Sequence, residues 1–87
     1  MSSISYDIIE IFSSHLCRAA RGLLGWSQAE LADRAHVGRS TLADFERGRR
    51  IPIRNNIVAI VTALEEGGVK FIGPDPAGKE GVRLRRM

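Results

Sequence analysis

The residues best suited to do chemistry in this sequence are arginines in the middle of the chain. Five of them lie within residues 38–54, and four fall within the eight positions from Arg47 to Arg54. A guanidinium group binds phosphate, or the acceptor edge of a guanine, through paired hydrogen bonds. Because Asp44 lies among these arginines, the pattern favours selective reading of an anionic partner over plain charge attraction.

Catalysis and metal binding receive no support from the sequence. His15 and Cys17 lack further ligands at metal-binding spacing, and neither His15 nor His36 accompanies a nucleophile and an acid. We therefore expect no enzyme, no metal ion and no cofactor. Cys17 is the single cysteine, which excludes an intrachain disulfide and fits a reducing cytosol. Its predicted role is that of a small core residue.

Length, charge and hydropathy are those of one small domain. The chain has 87 residues, a net charge of +3 and a sequence pI of about 9.8. Ten of its thirteen basic residues lie in residues 36–87, which favours an anionic partner. No apolar run is long enough to span a membrane and no secretory signal is evident, so we expect a cytoplasmic protein. The thin core of so small a domain favours a homodimer.

Apolar residues at helical spacing predict four helices. They span residues 14–24, 28–35, 39–47 and 56–66. Gly25 ends the first helix, and Ser27 with Glu30 forms a capping box for the second. Asn55 is the predicted cap of the fourth. The predicted inward faces are Leu16, Ala19, Ala20, Leu23 and Leu24, then Leu31, Ala32 and Ala35, then Leu42 and Phe45, then Ile57, Ile60, Val61 and Leu64.

The two ends of the chain differ from its helical centre. Residues 4–12 suit either a strand or a helix, whereas residues 69–72 and 82–85 alternate around a turn-rich segment and predict a β-hairpin. A lone hairpin is marginal in water, which favours dimerisation; docking on its own domain and binding another protein stay open. The side chains predicted to make the dimer are Val69, Phe71, Val82 and Leu84.

The expected fold class is therefore mainly α, with a C-terminal hairpin that an N-terminal strand could join. The predicted divisions are an extension at residues 1–12, a helical domain at residues 13–67 and the hairpin segment at residues 68–87. The second and third helices are separated only by His36-Val37-Gly38, and the outer face of the third carries Arg47. Two short helices with a tight turn and a basic outer face describe a helix-turn-helix, whose second helix enters the DNA major groove.

Residues 27–49 resemble the helix-turn-helix of the phage repressor and Cro-type (XRE-like) regulators. The similarity extends from about Cys17 to Leu64. The turn departs from the family's pattern, because His36 replaces the usual glycine and Gly38 replaces a small polar cap. The markers of the resemblance are Ser27-Gln28, Leu31-Ala32, Val37, Leu42, Glu46, Gly48 and Pro52.

The resemblance implies roles for individual residues. It places Gln28 on a backbone phosphate and pairs Arg21 with Glu46, which helical periodicity also puts beside the inner face. The base-reading positions that it implies are Arg39, Ser40, Thr41 and Asp44. The positions that it places along the DNA backbone or at a minor groove are Arg47, Arg49, Arg50 and Arg54.

Plainer interpretations stay open for several of these side chains. Arg39 and the loop arginines could be solvated surface residues, and Ser40 and Thr41 could be ordinary polar residues of a helix start. Asp44 could accept a hydrogen bond from a cytosine amino group, reject phosphate, or orient Arg47 three residues on.

The resulting hypothesis is a sequence-specific regulator that binds double-stranded DNA as a homodimer at an inverted repeat. Repression by occlusion of its own promoter is the simplest mode of action, and activation through contact with polymerase is a second. The alternative class is an antitoxin or other interaction protein whose helix-turn-helix regulates its own operon.

Overall fold

The structure is a computed structural model that describes residues 12–73, residue 76 and residues 80–85. In the described part of the chain, four helices precede a two-stranded antiparallel hairpin, which confirms the predicted mainly α fold class. The elements are α1 (Ser14–Leu24), α2 (Gln28–Ala35), α3 (Arg39–Glu46), α4 (Arg54–Gly67), β1 (Val69–Ile72) and β2 (Gly81–Leu84). Residues 4–12, which suit either a strand or a helix, lie outside the described residues except for Phe12.

Serine side chains fix where α1 and α2 begin. Ser13 accepts a hydrogen bond from the amide of Leu16 (3.3 Å), and Ser27 accepts one from the amide of Glu30 (3.0 Å). The Glu30 carboxylate, predicted to reach back to the Ser27 amide, accepts from Arg34 at 2.9 and 3.1 Å. This pair agrees with the helix dipole, because its acid lies nearer the N-terminus and its base nearer the C-terminus.

The start of α4 corrects the sequence prediction. The helix begins at Arg54, two residues earlier than expected, and Asn55 is not its cap. Ile53 holds the cap position with an extended backbone, and its carbonyl accepts from the amides of Asn56 and Ile57 at 3.0 and 3.2 Å. Asn55 therefore lies inside the first turn, because backbone hydrogen bonds form the helix directly after Ile53.

A strained residue closes α2 and opens the turn to α3. His36 has φ 58° and ψ 40°, in the left-handed region that costs a side-chain-bearing residue roughly 1–2 kcal/mol. Its amide donates to the carbonyl of Asp33 (3.3 Å), and the Val37 amide donates to that of Ala32 (3.0 Å). These bonds satisfy the last carbonyls of α2 and set the angle at which α3 leaves.

One core joins the four described helices to β1 and Phe12. α1 contributes a slightly different face from the predicted one: Cys17 is buried with Leu16 and Ala20, whereas Ala19 and Leu23 are exposed. Cys17 is therefore the core residue expected from its type. The other buried apolar residues are Phe12, Leu31, Ala32, Ala35, Leu42, Phe45, Ile60, Val61, Ala63, Leu64, Val69 and Phe71, and Ile57 is half-buried at the edge.

A tryptophan covers the far end of α4. A Cβ atom added at Gly67 would lie 2.4 Å from the Trp26 ring, so this close approach requires glycine. The Arg34 guanidinium lies 4.3 Å from the centroid of the same ring, a cation–π contact. The loop between α1 and α2 is thereby packed against the helix that leads into the hairpin.

The hairpin docks on its own domain, which corrects the predicted role of two of its residues. Val69 and Phe71 are 1% and 4% exposed, and Val82 packs against the same core. The Phe12 ring lies edge to face with Phe71 at 5.4 Å and stacks on Phe45 at 5.7 Å. Val69 and Phe71 are core residues rather than dimer contacts, because the helices and Phe12 supply the apolar surface that a lone hairpin lacks.

The hairpin exposes charged residues on its outer face and a leucine at the rim of its inner face. Lys70 pairs with Arg83 across the two strands, and Leu84, paired with Val69, stays 50% exposed at the rim. The Arg85 amide donates to the Gly68 carbonyl at 2.7 Å, which ties β2 to the end of α4. None of the helices that the structure describes has the length and apolarity that a membrane crossing requires.

Candidate nucleic-acid interface

α3 divides its side chains between the core and the surface. Leu42 and Phe45 are buried, and so is Glu46, which is 2% exposed. The buried side fixes the helix, so its other side is presented to solvent as a rigid polar face of two turns, a size that a major groove admits. Of the four residues predicted to read bases, Arg39 and Ser40 are exposed and Thr41 and Asp44 are half-buried.

The C-terminal end of α3, called here its inner end, is held by the Glu46 cluster. This cluster consists of Glu46, Arg21, Gln28 and Cys17. Glu46 Oε1 accepts from Arg21 Nη2 and Gln28 Nε2, both at 2.8 Å, and Oε2 accepts from Arg21 Nε and Cys17 Sγ, both at 3.0 Å. The Arg21–Glu46 pair expected from the family resemblance is thus formed, with two parallel hydrogen bonds. The cluster joins α1, α2 and α3 around one carboxylate.

Backbone carbonyls complete the attachment of this end. Arg21 Nη1 donates to the carbonyl of Trp26 at 3.0 Å, and Arg18 donates to that of Glu46. Among the residues that the structure describes, no buried side-chain nitrogen or oxygen lacks a partner. A buried charge satisfied in this way holds one geometry, because any displacement of α3 leaves it unpaired.

Within the Glu46 cluster, the pKa of Glu46 is lowered and the pKa of Cys17 is raised. Burial alone raises the pKa of Glu46, but hydrogen bonds from Arg21, Cys17 and Gln28 outweigh it and hold the pKa below its usual range. Burial, and then the hydrogen bond to Glu46, raises the pKa of the Cys17 thiol far above its usual value. The carboxylate is therefore ionised and the thiol protonated at neutral pH, so Cys17 serves as a hydrogen-bond donor.

A basic cleft of about 600 Å³ opens beside the cluster, between the N-terminal ends of α1 and α2 and the C-terminal end of α3. It brings Gln28 and Arg47, both predicted backbone contacts, into one site. Arg18 and His15, whose Nη2 and Nδ1 atoms lie 2.8 Å apart, also line it. The complete lining is Ser14, His15, Arg18, Arg21, Gln28, Glu46, Arg47 and Gly48. Several donors around one concave space suit a phosphate group.

The N-terminal end of α3, called here its outer end, carries a different ion pair. Arg39 Nη2 lies 3.0 Å from Asp33 Oδ2, and Arg39 Nε donates to Asp33 Oδ1 at 3.4 Å. The two side chains are 67% and 62% exposed. Arg39, the foremost predicted base reader, is therefore accessible to DNA but already has an anionic neighbour from α2.

Asp44 takes part in none of the ion pairs among the described residues, each of which involves another carboxylate. Its backbone carbonyl accepts from the amide of Arg49 (2.9 Å), which helps close the end of α3, and Gly48 supplies the left-handed turn there with φ 76°. Asp44 is half-buried, and its spacing puts it on the same side of the helix as the exposed Ser40 and Arg47. This placement favours base reading or phosphate rejection over arginine positioning.

The remaining residues predicted to contact the DNA backbone lie on or beside the loop between α3 and α4. Pro52 is buried and anchors the loop between α3 and α4. On either side of it the chain exposes positive charge and two isoleucines, Ile51 and Ile53, at 85% and 68% exposure. The arginines exposed along this stretch are Arg47, Arg49, Arg50 and Arg54.

Three contributors to this surface were missed from the sequence: Asp33, Arg18 and His15. No sequence pattern singles out Asp33, because its partner Arg39 lies six residues away across a turn. Arg18 precedes Arg21 by three positions in α1, so the two lie on neighbouring faces of one helix. That spacing is a sequence signal for Arg18, since the family resemblance pairs Arg21 with Glu46.

The fold and this surface are those of a helix-turn-helix DNA-binding protein. Residues 18–67 match the helix-turn-helix family of the XRE type, a match that covers more than half of the chain and spans α2, α3 and α4. The protein therefore belongs to the XRE-type helix-turn-helix family and is a DNA-binding regulator of transcription. A search of curated proteins finds no match.

Proposed function

We propose that the protein binds a specific operator as a homodimer and represses transcription by occupying it. The observation that carries the proposal is the division of α3, whose inner end is locked by the Glu46 cluster while its outer face presents Arg39 and Ser40. A reading helix held in one orientation can match hydrogen bonds to base edges. Repression follows as the simplest outcome, since an occupied promoter is closed to polymerase.

The proposed backbone contacts lie on both sides of this reading face. The basic cleft, with Gln28 and Arg47, takes one phosphate, and the loop with Arg49, Arg50 and Arg54 follows the sugar–phosphate backbone. Such contacts fix the register of the protein on the duplex without specifying sequence. Asp44 and Arg39 then discriminate among base pairs.

A homodimer supplies the second reading helix. One α3 covers a half-site, and two copies related by a twofold axis read an inverted repeat with half-site centres about 34 Å apart. Because Val69 and Phe71 are committed to the core, we assign the contact between copies to the rim of the hairpin around Leu84. Its half-exposed side chain extends the apolar strip that Val82 begins.

Selection of bound duplexes from a random pool tests operator recognition. The expected product is one enriched motif repeated in inverted orientation, with half-sites one helical turn apart. Placing that motif over a reporter promoter should lower transcription when the protein is expressed. A pool that stays random after repeated rounds contradicts sequence-specific reading, and a reporter that rises contradicts repression.

Light scattering tests the assignment of the dimer contact. Wild-type protein should show twice the 9.6 kDa mass of one chain, and Leu84→Glu should show the monomer mass. Leu23→Glu is the matched control, because Leu23 is an exposed leucine of α1 at 42% exposure. A Leu84→Glu protein that stays dimeric removes the hairpin rim from the interface.

A further inference from the structure

The ion pair between Asp33 and Arg39 joins the two helices of the helix-turn-helix at their outer surface. Two hydrogen bonds, at 3.0 and 3.4 Å, hold the guanidinium against the carboxylate, and both side chains are more than three-fifths exposed. The pair spans the turn at His36, so it connects the last turn of α2 to the first residue of α3.

Local helix electrostatics disfavour both of these residues where they stand. Asp33 places a carboxylate in the last turn of α2, near the partial negative charge of that helix end, and Arg39 places a cation at the positive start of α3. α3 has no acid of its own in its first turn. Each residue compensates for the other, across the turn.

A second ion pair on α2 provides the contrast. Glu30 and Arg34 lie 2.9 Å apart with comparable exposure, in the order that the helix dipole favours. Local helix chemistry accounts for that pair completely. It does not account for Asp33 and Arg39, and stability does not either, since exposed ion pairs contribute little.

We propose that Asp33 is a positioning residue for base reading, which holds the Arg39 guanidinium at the start of α3 until a base edge replaces the carboxylate. The inference rests on the proposed function and names a specificity determinant within it. An unrestrained arginine gains a phosphate contact on any DNA sequence. When Arg39 is paired with Asp33, the group that best replaces the carboxylate is a guanine. Its N7 and O6 atoms are presented to the start of a helix in the major groove.

The test compares the operator-to-random affinity ratio of the wild type and four variants, using the duplex selected by the wild type and a random-sequence duplex of equal length. Asp33→Asn should lower this ratio by roughly 3- to 10-fold, a part of the roughly 5- to 150-fold discrimination of one well-placed bidentate contact. Glu30→Gln changes the net charge equally on the same helix, and it should leave the ratio unchanged. Arg39→Ala and the Arg39→Ala/Asp33→Asn double variant complete the set.

Coupling to Arg39 separates positioning from a general electrostatic effect. In the Arg39→Ala background, Asp33→Asn should have no further effect on the ratio, and circular dichroism should show the same melting behaviour for Asp33→Asn and Glu30→Gln. The inference is overturned if Asp33→Asn and Glu30→Gln act alike, or if Asp33→Asn acts equally without Arg39. A wild-type ratio of one overturns the proposed function and the inference together, whereas an unchanged ratio in Asp33→Asn overturns the inference alone.

Discussion

The two ends of α3 carry ion pairs of opposite character. At the inner end Glu46 is 2% exposed and accepts four side-chain hydrogen bonds from Arg21, Gln28 and Cys17. At the outer end Asp33 and Arg39 form one pair that is mostly exposed to solvent. Breaking a buried ion pair leaves an unpaired charge in the interior, whereas the remaining charge of an exposed pair is solvated by water. The same interaction type is therefore structural at one end of the helix and available for recognition at the other.

This difference indicates how a short reading helix is made both rigid and responsive. Eight residues form only two turns, too few to be stable alone. The buried cluster and the Phe12–Phe45 stack supply the rigidity. The pair at the first residue of α3 can change partners at small cost, so Arg39, which we propose contacts DNA, does not also have to hold the fold together.

Removal of Glu46 should produce the largest effect. Glu46→Ala is expected to lower the free energy of unfolding by about 3–5 kcal/mol, because Arg21 loses its partner in a largely buried site. Urea unfolding followed by circular dichroism measures the loss. Glu30→Ala, which breaks an exposed pair, should cost no more than about 0.5 kcal/mol. Equal losses in the two variants would contradict the distinction between buried and exposed pairs.

The pH dependence of stability sharpens the same point. The folded pKa of Glu46 lies below the unfolded value of about 4.3. Its contribution to stability is therefore complete above that value and is lost as the pH falls through it towards the folded pKa. The stability difference between wild type and Glu46→Gln should shrink from pH 7 to pH 3 in urea titrations. A constant difference over this range would show that the ionised carboxylate is not the stabilising species.

Arg39→Ala should separate recognition from stability. We expect the free energy of unfolding to change by no more than about 0.5 kcal/mol, since the pair with Asp33 is exposed. Discrimination at one base pair of the selected duplex should fall by about 1–3 kcal/mol. Competition binding against single-base variants measures it. An unchanged preference at every position would remove Arg39 from the reading face.

Arg50→Ala should give the smallest and least selective effect. Binding to operator and random duplexes should weaken alike, and the slope of log affinity against log salt should become shallower by about 0.9, the value for one phosphate contact. Titrations at several salt concentrations measure the slope. Arg83→Ala, an exposed arginine of the hairpin, is the matched control. Identical slopes in the two variants would place Arg50 off the DNA backbone.

Much of the fold was predictable because its signals are local. Ser27 and Gly25 mark helix ends by their own hydrogen bonds and backbone freedom, and the structure uses both as expected. The prediction that Asn55 caps α4 was wrong, because the hydrogen bonds that start this helix are accepted by the backbone carbonyl of Ile53. The hairpin strands were recognisable from alternation, but their partner was not, since Phe12 and Phe71 are far apart in sequence.

The polar face of α3 was predictable from the sequence, and its surroundings were not. Helical periodicity put Leu42 and Phe45 inward and Ser40 outward, and the structure agrees. Cys17 as a donor to Glu46, by contrast, joins residues 29 positions apart. The basic cleft with Arg18 and His15 depends likewise on three helix ends meeting, which periodicity within any one helix does not encode.

The sequence by itself determined the helices, the tight turn and the polar face that define the family, because capping, periodicity and glycine placement act over a few residues. The tertiary structure decided which charges are buried and which stay exposed. That distinction places Glu46 among three donors and leaves Arg39 beside Asp33 at the surface. Its physical reason is desolvation: the worth of an ion pair depends on the water around it, and only the packed chain sets that.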